Sequence, residues 1–283
     1  MAVKIVTDST CDLSNKLVQN YDIEVVPLIV NFGDKAYRDG VDITSEDFFE
    51  LLSATEELPF TSQVNPAQFE TVFRRLLDAG DEIVGIFISS TFSGTYGSAV
   101  IAKELFTEEE QKKIHLYDSR ISTVPLGLVA IEGAKVAKNS GDVNLVCRQV
   151  EYAIANVKII CLLDTLLYLS KGGRISPGQA MVGNLLNVKP ILTVNEKAEI
   201  VKIDKVRGRK KGIHWIVDYI ESNNIDMNGK PFALVHGNDL ETLELLKERL
   251  GDSYVEKKDY ELCIGAVIGT HLGPGTVGIA YIE

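Results

Sequence analysis

Cysteine is scarce and scattered. The four thiols, Cys11, Cys147, Cys161 and Cys263, lie far apart and form no CxxC pair. Neither a disulfide framework nor a cysteine-based metal site is expected, and free thiols in a reducing cytoplasm are. Long apolar runs are missing too. No stretch approaches the roughly 18 uninterrupted apolar residues of a membrane-spanning helix. The opening Met1–Asp8 lacks an apolar run behind a basic start, so no secretory signal is expected there. Positive charge is in deficit: 29 Lys and Arg against 40 Asp and Glu leave a net charge of −11. A general nucleic-acid surface needs a basic excess, and this chain has none. An anionic small ligand stays open, provided donors are arranged locally around it.

What is present is an ordinary globular mix. With 45% hydrophobic residues in a 283-residue chain, there is core enough for two α/β domains. In the first half, strands and helices alternate. Apolar runs at 4–7, 24–30, 83–89 and 113–117 predict strands, with Pro27 interrupting the second. Thr44 with Asp47, and Asn65 with Pro66, predict helix starts. Behind Asn65, residues Phe69, Val72, Phe73, Leu76 and Leu77 recur at the helical period. Further helices are predicted from Ser93 to about Leu105, over 127–140 and over 143–155. This pattern implies a parallel, Rossmann-like sheet covered on both faces. The second half predicts strands at 157–162, 190–194, 199–206, 232–236, 254–258 and 277–281. An Asp164-capped helix should end at Gly172-Gly173, and Ser176-Pro177 should open another. Asn195-Glu196-Lys197 marks a hairpin, so this sheet should be largely antiparallel. The expected division is an N-terminal α/β domain over 1–155 and a C-terminal α/β domain over 156–283.

Three polar segments stand where strands end: Thr61–Pro66, Ser89–Ala99 and Gly269–Gly275. Helix capping explains the hydroxyls of the first two by itself. Their position adds a functional reading, because open α/β sheets bind ligands beyond the carboxyl ends of their strands. A helix start there also favours an anion. Ser93-Gly94 sets a hydroxyl beside a glycine that a ligand can approach. The Ser93–Ala99 segment is neither GxxxxGK[ST] nor GxGxxG, so nucleotide binding is weakly supported. His271 is the only histidine in a glycine-rich loop, Gly269–Gly275, which favours a ligand role. A triad of Ser93, His271 and Asp8 can be drawn, but no GxSxG elbow supports it.

These residues resemble the DegV family. The resemblance rests on Val6-Thr7-Asp8-Ser9-Thr10-Cys11-Asp12-Leu13, Thr61-Ser62-Gln63, Ser89-Ser90 with Ser93-Gly94-Thr95-Tyr96, and Asp118-Ser119. It continues through Leu163-Asp164-Thr165-Leu166, Lys171-Gly172-Gly173-Arg174, Lys189-Pro190-Ile191-Leu192 and Gly269-Thr270-His271-Leu272-Gly273-Pro274-Gly275. It spans essentially the whole chain in order. It implies two α/β domains with one long-chain fatty acid between them and no cofactor. Carried over by motif, the carboxylate would be held by Thr61, Ser62, Ser93 and His271, with the Gly94 N–H as a further donor. The resemblance also implies a carrier, not an enzyme acting alone, which presents the carboxylate to an ATP-binding fatty acid kinase subunit for acyl phosphate formation. Arg174, Arg207, Arg209 and Lys211 stand at the matching docking positions. The alternative is a stand-alone hydrolase or phosphotransferase using Ser93 or His271.

The physics of a fatty acid fits this set. Each buried methylene contributes about 0.8 kcal/mol, so a tail of about 16 carbons offers roughly 10 kcal/mol before ordering costs. The carboxylate cannot be buried unpaired. Hydroxyl, imidazole and N–H donors can satisfy it, and no Arg or Lys lies within the three segments. Leu166, Leu169, Met181, Leu185, Ile264 and Ile268 are candidates for the tail's surroundings, and core packing explains them equally.

Overall fold

The structure is a computed structural model. It describes residues 2–176, 187–227, 229–255 and 258–283. The helix predicted to open at Ser176-Pro177, with Met181 and Leu185, falls outside them from Pro177 onward.

Strands β1 (Val3–Asp8), β2 (Glu24–Val26), β6 (Glu82–Phe87) and β7 (Ile114–Asp118) form a parallel sheet in the order β2-β1-β6-β7. The predicted run at 24–30 is two strands in two sheets. Pro27 lies at the switch, and β3 (Ile29–Phe32) leaves the parallel sheet. It pairs antiparallel with β4 (Lys35–Arg38) and β5 (Phe60–Ser62) in a small sheet that the sequence did not signal. Helices α1 (Asn15–Tyr21), α2 (Ser45–Ala54), α3 (Pro66–Asp78), α4 (Thr95–Glu104) and α5 (Glu108–Gln111) connect these strands. Thr44 caps α2 and Asn65 caps α3, both in full capping boxes, as their sequences predict.

Two helices follow: α6 (Thr123–Ser140) and α7 (Val143–Asn156). Helix α6 packs on β1 and β6 on one side, and on β8 (Val157–Leu162), β11 (Phe232–His236) and β13 (Val277–Ile282) on the other. Its residues are apolar almost all round, which suits a helix buried between two sheets. One apolar core therefore runs from Ile5 and Ile86 through Leu128 and Ile131 to Ala233 and Ala280.

The remaining strands are β9 (Val188–Val194), β10 (Ile200–Arg207) and β12 (Tyr260–Cys263). The six-stranded sheet has the order β10-β9-β8-β13-β11-β12, antiparallel except between β11 and β12. Helices α8 (Leu167–Lys171), α9 (Arg209–Ser222), α10 (Leu240–Leu250), α11 (Asp252–Val255) and α12 (Ala266–Leu272) complete the described α-helices.

Three expectations are corrected. The strand predicted at 254–258 is displaced among the described residues: Tyr254 and Val255 belong to α11, and the strand β12 begins at Tyr260. Asp164 does not cap α8; its carboxylate pairs with Lys189 and Arg209 instead. Gly269–Leu272 is the end of α12, and only Gly273–Gly275 is loop.

Candidate functional site

The carboxyl ends of β1, β6 and β7 carry the first elements of the site. Asp8, at the end of β1, accepts a hydrogen bond from the Ile88 N–H at 2.8 Å and is itself held by Thr10. Asp118, at the end of β7, accepts from Ser90 N–H at 3.2 Å and Arg120 N–H at 2.9 Å. Two carboxylates thus fix the start of the loop that runs from Ile88 to Gly94. The other half of the molecule reaches the same loop. Thr91 Oγ1 donates to the Ala198 carbonyl at 2.6 Å, in the turn between β9 and β10.

Beneath this loop lies a cavity of about 140 Å³. Its polar walls are Thr61, Gln63, Ser93, Gly94, Ser122, Arg174 and His271, and its apolar walls include Leu28, Ile88, Phe92, Leu169, Ile200, Val267, Ile268 and Leu272. Thr61 Oγ1 and His271 Nε2 share a hydrogen bond of 3.0 Å across 210 residues of chain. Thr61, Arg174 and His271 also line an outer groove of about 520 Å³, together with Glu56, Glu57, Tyr168 and Lys171. The two spaces meet at these three side chains.

Electrostatically the site is mild. Burial, and then the nearby positive charge of Arg174, pushes the His271 imidazole down to about 4. The ring is therefore neutral at physiological pH. Its Nδ1 is buried without a hydrogen-bond partner and faces Gly172, where a Cβ would come within 2.4 Å. Arg174 donates from Nε to the Phe92 carbonyl at 3.2 Å and from Nη1 to the Gly172 carbonyl.

Of the residues singled out from the sequence, Thr61, Ser93, Gly94 and His271 face this one cavity. Ser62 does not line it. Successive strand residues alternate faces, and the Ser62 hydroxyl accepts from Asn31 Nδ2 at 3.2 Å. Arg174, assigned to docking, is a cavity residue, so the wall does include a cation. Arg209, also assigned to docking, is bound inward: its guanidinium pairs with Asp164 and Asp239 and donates to the Gly275 carbonyl. Arg207 and Lys211 are exposed. The imagined triad is not assembled. Ser93 Oγ bonds Thr95 Oγ1 at 2.9 Å, His271 bonds Thr61, and Asp8 holds Ile88 and Thr10. Of the tail candidates, Leu169 and Ile268 line the cavity, while Leu166 and Ile264 are core.

Gln63 was not among the residues singled out. Its amide lies over Gly94, where a Cβ would meet Oε1 at 2.2 Å, and its Nε2 donates to Ser98 Oγ at 3.0 Å. Gly94 makes room for this side chain. The signal was present in the Thr61-Ser62-Gln63 triplet, but only the meeting of two distant loops gives it meaning.

Against known proteins, the model of the DegV family matches residues 2–283. The chain belongs to the DegV family. A DegV domain-containing protein of Caldanaerobacter subterraneus is 38% identical over 281 residues, 99% of each chain. The crystal structure of DegV from Bacillus subtilis, a fatty acid binding protein, matches with a TM-score of 0.86 at 32% identity, covering 100% of both chains. A stearic acid-binding protein from Eubacterium ventriosum matches with a TM-score of 0.87 at 29% identity, covering 99% of this chain and 98% of that one. The DegV architecture, a parallel sheet and a mixed sheet within one α/β chain, is the architecture described above. Among the described residues of this DegV protein, no helix is long and apolar enough to cross a membrane, and no group of His, Cys, Asp or Glu could hold a metal ion.

Proposed function

We propose that this DegV protein binds one long-chain fatty acid and presents its carboxylate at the Thr61–His271 pair. The observation that carries the reading is that contact itself: a hydroxyl and a neutral imidazole from opposite halves of the chain, hydrogen-bonded to each other, meet at the wall of a cavity with an apolar interior. Thr61, Ser93 and His271 hold the head group, with the α4 N-terminus at Gly94 beside it. Two relatives of the same fold bind fatty acids.

The described residues enclose about 140 Å³, close to the roughly 150 Å³ that holds a benzene ring in an engineered cavity. That is room for the carboxyl end and the first few carbons. Arg174 at the rim adds a long-range attraction for the anion. The neutral imidazole and hydroxyls leave the carboxylate nucleophilic. The outer groove gives a second molecule access to it, which suits a carrier that hands its head group to an ATP-binding fatty acid kinase subunit in the cytoplasm. In that reading Arg207 and Lys211 belong to the docking face, and the chain needs no cofactor of its own.

Mass spectrometry of an organic extract of the purified protein tests the first claim. A long-chain fatty acid near one equivalent is expected, with most of it lost from folded Ser93→Ala and His271→Ala variants. Lipid-free wild-type protein, or full retention by both variants, would overturn it. Acyl phosphate formation with the kinase subunit tests the second, since Arg207→Ala is expected to slow turnover without releasing lipid.

A further inference from the structure

Helix α12 is seven residues long and carries His271 near its end. A helix so short holds no fixed position by itself. It is gripped at both ends. At its start, Asp39 Oδ1 accepts the Ala266 N–H at 3.0 Å, and Asp12 Oδ1 accepts the Gly265 N–H at 2.9 Å. At its end, His271 meets Thr61. Asp39 directly follows β4 and Thr61 lies in β5, so the two outer strands of one small sheet hold opposite ends of the helix. The backbone of Asp39 also donates to the Leu28 carbonyl at 2.9 Å, and Leu28 lines the cavity.

We propose that Asp39 is a positioning residue for the ligand head group: its carboxylate fixes α12 along its axis and so sets where His271 stands. This rests on the reading that His271 holds the carboxylate. Asp39 is only 4% exposed. A carboxylate that deep is costly to bury, and an apolar residue would pack the same space without that cost. What the carboxylate adds is direction, because it accepts hydrogen bonds from the helix start and favours the positive end of the helix dipole. Five residues further on, about 7.5 Å along the axis, that grip decides the height and rotation of the imidazole. Asp12 shares the grip but also binds Thr123, a β-branched residue held at φ 57 at the start of α6. Asp39 is therefore the cleaner position to change.

The test is a double-mutant cycle read as fatty acid affinity. Asp39→Ala is expected to weaken binding about tenfold in the wild-type background and less than twofold in a His271→Ala background. Equal losses in both backgrounds would mean that Asp39 acts through general stability, and no loss in the first would mean that it does not position the site. Either result overturns the proposal. If Asp39→Ala does not fold, Asp39→Asn, which keeps size and one acceptor, is run through the same cycle with an expected three- to fivefold loss confined to the His271 background. If wild-type protein binds no fatty acid, the functional reading has failed. Even then, the ring resonances of His271 in the ligand-free protein still decide the grip: they move in the Asp39 variants if it exists and stay fixed if it does not.

Discussion

The imidazole of His271 is the residue on which the site turns, and its charge state follows from where it sits. Burial is the larger cause of its low pKa and Arg174 the smaller. Between pH 6.5 and about 4, the unfolded chain holds a proton on this ring that the folded chain does not. Stability contributed by the neutral ring is therefore fully present above pH 6.5, and it is lost as pH falls toward 4. NMR titration of the ring is expected to give a midpoint near 4 in wild type. In Arg174→Gln the midpoint rises, yet stays below 6.5, because burial remains. A wild-type midpoint at the ordinary histidine value would contradict the buried placement. At this scale the sequence was informative about kind and less so about role. Small hydroxyls and a histidine beside glycines marked Thr61, Ser93 and His271. The alternation of faces along β5, which turns Ser62 away, needed a strand too short and exposed to announce itself. Arg174 and Arg209 look alike in sequence, both basic and close to glycine. Only the folded chain separates the one in the cavity wall from the one held in ion pairs.

The elements divide along the same physical line. Strands with continuous apolar runs, such as β6, β8 and β11, were legible, because burial on both faces leaves no other composition. Helices with capping boxes were legible for the same local reason. The small sheet was not: Lys35–Arg38 is mostly exposed, and only three residues of β5 pair. Helix α12 was hidden because glycine signals loop. Its Gly269 has a different cause, a close approach. A Cβ there would fall 2.4 Å from Phe48 Cε1 and 3.2 Å from Phe49 Cζ, and the Phe48 ring is fully buried. Gly269→Ala therefore sets helix propensity against packing. Alanine favours the helix by about 1 kcal/mol, while overpacking costs typically 1–3 kcal/mol. The expected net result is a loss of about 1 kcal/mol in urea unfolding, together with weaker lipid retention as α12 is pushed from its seat. A variant more stable than wild type, with lipid retained, would show that α2 yields easily and does not fix α12.

Over the whole molecule, the core decides how a ligand registers. Helix α6 packs on both large sheets, and the apolar cluster around it is continuous, so the two halves are expected to unfold in one transition. The proposed head-group site draws Thr61 and Ser93 from one half and His271 from the other, so occupancy stabilises that single transition. A ligand at one hundred times its dissociation constant adds about 2.7 kcal/mol. In a chain of this size that corresponds to a rise of about 5 °C in the unfolding midpoint. Chain length then grades the effect. Removing two methylenes costs about 1.6 kcal/mol, or roughly fifteenfold in affinity, as long as both were buried. Thermal unfolding of delipidated protein with saturated acids of decreasing length, all at one concentration, is expected to show the rise shrinking stepwise. The shortest acids, which keep the carboxylate and little else, are expected to give almost none, because the tail and not the mild head-group site supplies the affinity. A shift that is the same for every length would place the binding energy in the carboxylate alone, and the apolar cavity would then have no part in holding the ligand.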